Sequence, residues 1–268
     1  MKTLVIGDPH FRESLGYADY IEDRREQEKK DILEFIISSA DDCDSVVIMG
    51  DCFHARNPSS KIVKEFVNFI ERFNDKKLYI IAGNHEKFGN GRSTIDFLSE
   101  IHGKNWKIIT NETISFNDKG TTLSFSPYFT QAELGTKDKQ EASVLVKGKL
   151  QAGDILFVHH AISKTKLGKA ELTTDIFPEL ILPRGELEKE YKLVVGGHIH
   201  SPSHVKNTIV TGSVFCNEVG EDKKYLWKID TDKEYSVDKI EIPGRGVYKL
   251  VDPTDADLKQ IDKHSIIK

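Results

Sequence analysis

With 268 residues the chain has room for one large domain or two small ones. A charged fraction of 30% and a hydrophobic fraction of 38% fit a soluble globular protein, and no apolar run approaches the roughly 18 residues of a membrane span. The net charge of -5 gives no sign of a nonspecific electrostatic grip on nucleic acid, although bound divalent cations would offset several of those negative charges.

Lys2 before the apolar Leu4-Val5-Ile6 begins like a secretory signal, but Asp8 and His10 interrupt it too early, and the run reads as a first strand. The stretch from Tyr20 to Ala40 is charged at first and then carries Ile32, Leu33, Phe35, Ile36 and Ile37, which predicts a helix whose second half packs on a sheet. Asn57-Pro58-Ser59-Ser60 is a turn with a helix cap. Behind it Ile62, Val63, Phe66, Val67, Phe69, Ile70 and Phe73 fall on one broad helical face. A further helix is expected from Ser93 to Ile101. Lys107 to Thr110, Thr113 to Phe116 and Thr121 to Tyr128 alternate as strands do, with Asn117-Asp118-Lys119-Gly120 as a hairpin turn. Gln131 to Leu150 reads as partly helical. Ala161 to Pro178 reads as a long polar loop in which Lys164, Lys166 and Lys169 are ordinary solvated charges. Strands return at Thr208 to Thr211, Lys224 to Ile229, Tyr235 to Ile242 and Val247 to Val251, and the polar end from Asp252 is expected to fray. This order predicts two packed sheets with helices outside.

Five signatures punctuate that pattern: Gly7-Asp8-Pro9-His10, Gly50-Asp51-Cys52-Phe53-His54, Gly83-Asn84-His85-Glu86, His159-His160 and Gly197-His198-Ile199-His200. Each follows an apolar run that reads as a buried strand, so five strands would present ligands at their carboxyl ends, the edge where open α/β sheets place their sites. Any one signature alone is more often a turn or a coincidence than a site. Five in order at strand ends point to a single centre.

The donor set narrows the chemistry. Asp8 and His10 offer a carboxylate and an imidazole, Asp51 has two oxygens able to bridge two metals, and Asn84 adds a neutral carbonyl oxygen. His159, His198 and His200 complete a mixed nitrogen and oxygen set suited to Mn²⁺, Fe²⁺ or Zn²⁺ rather than Ca²⁺. Two such cations about 3.5–4 Å apart clamp the attacking and leaving oxygens of an in-line phosphoryl displacement and make hydroxide available near neutral pH. His85 is the expected general acid, with Glu86 orienting its ring. His54 is expected at a substrate phosphate, as are Arg12 and Arg56 beside the first two signatures. His160 reads as a packing residue behind the ligands, and His102, His204 and His264 as surface residues. Cys43, Cys52 and Cys216 are odd in number and widely spaced, which argues against a disulfide framework and fits a reducing cytoplasm.

Together these residues resemble the signature of the calcineurin-like metallophosphoesterase family over residues 3–220. The resemblance implies a four-layer α/β/β/α sandwich, an α/β fold of two mixed sheets flanked by helices, around two divalent metal ions. It implies Asp8, His10, Asp51 and His200 on the first metal, and Asp51, Asn84, His159 and His198 on the second. His159 is preferred to His160 because it directly ends the apolar run. Residues 1–220 then form the catalytic domain, and residues 221–268 a C-terminal β appendage and polar tail packed on it.

Gly50-Asp51-Cys52-Phe53-His54 followed by Arg56 and Pro58, and Thr211-Gly212-Ser213 followed by Gly220-Glu221, look like the SbcD-like branch of DNA double-strand-break repair nucleases. That branch implies Mn²⁺-dependent exonucleolytic and endonucleolytic DNA cleavage, a homodimer and an SbcC-like ATPase partner. Only residues 222–268 follow, fewer than the capping domain and partner-binding extension of that branch need. The expectation is therefore a compact nuclease, with a weaker case for duplex processing and for the ATPase. The rival reading is a phosphodiesterase or phosphatase for a small nucleotide, which would share every metal ligand. A protein serine/threonine phosphatase fits poorly because the second signature lacks Asp-Arg-Gly.

Overall fold

A computed structural model describes the whole chain except residues 21, 22, 24, 102, 103, 165, 168–171, 174–179, 222, 249–265 and 268. The main elements run β1 (Lys2–Ile6), α1 (Glu26–Ser39), β2 (Ser45–Ile48), α2 (Ser60–Glu71), β3 (Lys77–Ile81), β4 (Trp106–Ile109), β5 (Ile114–Asp118), β6 (Thr121–Ser126), α3 (Gln131–Leu134), α4 (Lys139–Lys149) and β7 (Ile155–Val158). They continue with α5 (Arg184–Glu190), β8 (Leu193–Gly196), β9 (Ser203–Val205), β10 (Thr208–Val210), β11 (Lys224–Asp230) and β12 (Ser236–Ile242).

Two mixed sheets result. The first has the order β12-β11-β1-β2-β3-β4, parallel from β1 to β4 and antiparallel at β11 and β12. The second has the order β9-β10-β8-β7-β6-β5, with parallel central strands and antiparallel edges. Period-two alternation assigns each apolar residue to a layer. Leu4, Ile6, Val46, Ile48, Leu78 and Ile80 face α1 and α2 through Ile32, Ile36, Phe66 and Ile70. Their neighbours Val5, Val47, Tyr79 and Ile81 meet Phe125, Phe157 and Val195 of the second sheet. Leu156, Val158 and Val194 point the other way, onto Ala142, Val146 and Leu187 of α4 and α5. Three apolar layers between four structural layers give an α/β/β/α sandwich, and continuous apolar strands are what a sheet covered on both faces requires.

Several boundaries differ from the sequence pattern. The helix expected from Tyr20 starts at Glu26, after a separate 3₁₀ turn at Ala18–Tyr20. Arg25 precedes it with a left-handed φ of 61°, and its buried guanidinium forks onto Glu28 at 2.7 and 2.6 Å. The same guanidinium donates to the carbonyls of Gly16 and Cys216. Satisfying a buried cation, rather than helix propensity, sets that start. Ser59 occupies the cap position of α2, but its hydroxyl donates to Glu13 instead of capping the helix. The helix expected over Ser93 to Ile101 is a 3₁₀ helix at Asp96–Glu100. Its buried Ile95 and Leu98 lie three apart, which suits three residues per turn. The hairpin turns at Lys119 and Gly120, both at positive φ. Most of the expected 161–178 loop and the polar end from residue 252 lie outside the described residues.

Residues 224–242 reach the centre of the first sheet, where β11 pairs antiparallel with β1. Trp227 on β11 is fully buried in the layer between the sheets and donates its indole N–H to the Thr211 carbonyl at 3.1 Å.

Phe157 lies at the middle of that layer, 0% exposed and stacked on Phe125 with ring centroids 4.9 Å apart. Phe157→Ala is expected to destabilise the fold by about 3–5 kcal/mol through lost transfer energy and a cavity, measured by urea denaturation.

Candidate metal centre

The five strand-end signatures converge at one edge of the two sheets. Backbone bonds stitch the first two loops together: His10 N–H donates to the Asp51 carbonyl at 2.8 Å and Phe11 N–H to the Cys52 carbonyl at 2.8 Å. His10, Asp51 and His198 have φ values of 42°, 47° and 75°. Left-handed backbone is uncommon for such residues, and here it turns their side chains into a shared space. Glycine is required where the loops touch. A Cβ on Gly83 would lie 2.1 Å from Asp51 Oδ1, and one on Gly50, whose φ is +107°, would lie 2.3 Å from His159 Nδ1.

His10, His54 and His85 bring ligand atoms within 4.8 Å of one another, and two further such sets gather there: Asp8, His10 and His200, and Asp51, His159 and His198. Asp51 stands between them, its Oδ2 3.7 Å from His10 Nε2 and 3.4 Å from His159 Nε2. Its Oδ1 accepts the His85 backbone N–H at 3.0 Å. Asn84 joins the second set with its amide oxygen 2.9 Å from His198 Nδ1 and 3.3 Å from His159 Nε2.

The unpaired atoms fit cations. Both oxygens of Asp8 are buried with no hydrogen-bond partner, a costly arrangement for a carboxylate without a counter-ion. His10 Nε2 and His200 Nε2 face each other at 2.8 Å. The Asn84 amide oxygen faces the Asp51 carboxylate, where only the turned-over amide would find hydrogen bonds. An unsatisfied buried carboxylate gathered with imidazole nitrogens and an amide oxygen suits a cation site.

Electrostatics agree. Burial pushes Asp8 up to about 6, against the pull of His159. Burial would also raise Asp51, but His159, His10 and His85 hold it far below the usual carboxylate range. Burial alone would depress His159, yet Asp51 and then Asp8 lift it well above the ordinary imidazole value. His159 Nδ1 donates to the Met49 carbonyl at 2.5 Å, which leaves Nε2 as the ligand atom.

Three expected residues flank the clusters. The half-buried His85 ring lies 4.8 Å from the His10 ring, and its Nδ1 bonds the His54 carbonyl at 2.6 Å. His54 is exposed, with its ring 5.8 Å from both His10 and His85. Glu86 does not orient the His85 ring as expected. Its fully buried carboxyl accepts N–H bonds from Phe53 at 3.0 Å and Gly83 at 2.9 Å, clamping the second loop to the third. Burial and the charge of Asp51 push it up to about 8. Arg12 is half-buried and its Nε donates to the Ser14 carbonyl, whereas Arg56 is exposed on the rim. His160 packs behind the ligands, stacked on Tyr128 and accepting the Phe129 N–H at 3.1 Å.

Other contributors escaped the sequence pattern. Glu221 faces His200 Nδ1 at 3.6 Å and binds Lys224, which also donates to the His200 carbonyl and Ser213. Gly220-Glu221 was visible as a motif, but no spacing tied it to His200. Tyr128 lies over His160 and beside His198. Its place became legible only once β6 and β7 were known to be neighbours.

Two measurements check this centre. Cation binding needs His159 neutral, but below its raised pKa the free ring is protonated. Against burial, Glu221 and Asp8 also raise His200. Affinity should therefore rise with pH by about tenfold per unit or more at neutral pH, with at least one proton released on binding. It should steepen below about 6, where Asp8 also takes up a proton. Calorimetry in buffers of different ionisation enthalpy reads the proton directly. Glu221→Gln should weaken one of two Mn²⁺ ions by about 10-fold or more, as loss of a partner behind a metal histidine does, and leave the other unchanged.

Comparison with known proteins accords with this geometry. Residues 1–202 match the calcineurin-like phosphoesterase family. The chain is 35% identical over 122 residues to the DNA double-strand break repair protein Mre11 of Methanosarcina acetivorans, covering 42% of this chain and 19% of that protein. It is 31% identical over 105 residues to the Mre11 protein of Archaeoglobus fulgidus, covering 38% and 23%. The match thus spans about a fifth of each relative. A Thermus thermophilus protein shares the fold with a TM-score of 0.50 at 12% identity, over 90% of this chain and 99% of that one. A Staphylococcus aureus protein provisionally classed as a 5′-nucleotidase does so with a TM-score of 0.50 at 13% identity, over 96% and 56%. The chain belongs to the calcineurin-like phosphoesterase family.

Proposed function

We propose that this protein hydrolyses phosphodiester bonds in DNA, as a nuclease of repair or recombination. Support for the reaction comes from the two ligand clusters that Asp51 stands between. Support for DNA comes from the likeness to two archaeal double-strand break repair proteins.

Asp8, His10, Asp51 and His200 would hold one divalent cation, and Asp51, Asn84, His159 and His198 the other. When bound, such a pair activates water and neutralises charge building on the phosphoryl oxygens. Mn²⁺ suits the mixed donors, as do Fe²⁺ and Zn²⁺. His85 gives the proton to the leaving oxygen. With Nδ1–H donated to the His54 carbonyl, its Nε2 is free to face the substrate. His54 contributes a second ring at the same edge. Burial and then Arg12 keep its pKa below the ordinary imidazole value, so it is largely neutral at pH 7 and binds phosphate by hydrogen bonding. Arg12 and Arg56 add positive charge at the phosphate backbone. The homodimer and the SbcC-like ATPase partner belong to the same proposal, and light scattering and co-purification test them.

Cleavage of end-labelled single-stranded and duplex DNA with Mn²⁺ tests the function. His85→Ala should keep metal and lose at least about 100-fold in turnover, the scale of general acid catalysis. Asp51→Ala should lose metal, read by elemental analysis. Hydrolysis of a small nucleotide diester with no DNA degradation would instead favour a small-molecule phosphodiesterase.

A further inference from the structure

We infer that Phe88 and Arg56 form a subsite for an unpaired nucleobase beside the reacting phosphate. This rests on the reading of the centre as one for nucleic-acid phosphodiesters. The large apolar side chains left exposed among the described residues are Phe88, Val144, Leu145, Val205 and Val219. Phe88 is the aromatic one, 44% exposed, and it lies two residues beyond the end of the third signature. Two residues separate it from His85, so their Cα atoms lie no more than roughly 11 Å apart.

The loop holds the ring out rigidly. Lys87, just before it, is 1% exposed. Its ammonium pairs with Glu133 at 2.7 Å and donates to the Thr110 carbonyl at 2.8 Å. Phe88 N–H donates to the Arg92 carbonyl at 3.1 Å, and Lys87 bridges to Ser93. Gly89 and Gly91, both at positive φ, close the turn between them. The turn so held leaves an aromatic face in water close to the metal centre.

Arg56 marks what that surface takes. Its Cζ lies 5.9 Å from the Phe88 ring centroid. Its carbonyl accepts Thr94 Oγ1 at 2.5 Å, and Thr94 N–H in turn donates to the Glu86 carbonyl at 2.9 Å. The backbone of Arg56 is therefore tied to the same loop as His85. Lys29, Lys87 and Lys224 commit their charge to Glu65, Glu133 and Glu221, whereas Arg56 has no carboxylate partner among the described residues. An aromatic face beside such a guanidinium binds a base by stacking and its phosphate by charge. Bases inside a duplex are already stacked on one another, so the occupant is a base in a single strand or at a frayed end.

The test compares wild type, Phe88→Ala and Phe88→Tyr on a thymidine oligonucleotide and on an abasic chain of equal length, with Mn²⁺. The subsite requires Phe88→Ala to raise KM roughly tenfold on the oligonucleotide, with kcat and the abasic KM unchanged, and Phe88→Tyr to restore it. A Phe88→Trp variant should show fluorescence quenching by the oligonucleotide and none by the abasic chain. Equal KM for wild type and Phe88→Ala on the oligonucleotide, or an equal rise on both chains, overturns the subsite and leaves the nuclease reading standing. If wild-type protein cleaves neither chain, the nuclease reading fails and the subsite falls with it.

Discussion

The centre depends on the buried charge of Asp51. Its carbonyl receives the His10 N–H, its Oδ1 receives the His85 N–H, and its Oδ2 faces the rings of His10 and His159. One residue thus ties three of the five loops to one point. It is 1% exposed, so its charge persists only because imidazoles or cations offset it. Against burial, Asp51 and then Asp8 raise His159 so that its ring holds the compensating proton, a duty that a bound cation would take over. Folding, proton binding and metal binding are therefore coupled at one carboxylate.

Holding that carboxylate has a cost. His10, Asp51 and His198 sit at left-handed φ, at roughly 1–3 kcal/mol each. Asp8 is buried without a hydrogen-bond partner. The sandwich offsets these terms with three apolar layers, while Glu86 joins the second and third loops from below. The strain lies where the ligands must converge, and the packing lies along the strands that deliver them.

The last strands take part in the same positioning. β11 sits against β1, the strand that delivers Asp8. At its start and just before it, Lys224 and Glu221 reach back to His200. A stretch far along the chain from most ligands thereby sets the orientation of one of them.

From sequence alone, the five apolar runs named their strands, and the polar residues ending them named the candidate ligands that the fold brings together. Strand burial follows composition, and a strand end places its next residues at the sheet edge whatever the loops do. The same local logic could not say that Glu86 would bind backbone amides instead of steering His85. Nor could it place Tyr128 on His160, start α1 at the buried Arg25 or leave Phe88 standing beside Arg56. Each of these outcomes depends on which strands become neighbours and on which buried charge must find a partner across the chain. Residue type and spacing determined what could bind a metal and a phosphate. Only the tertiary structure decided which side chains support those ligands, because buried polar groups are satisfied by neighbours in space rather than in sequence.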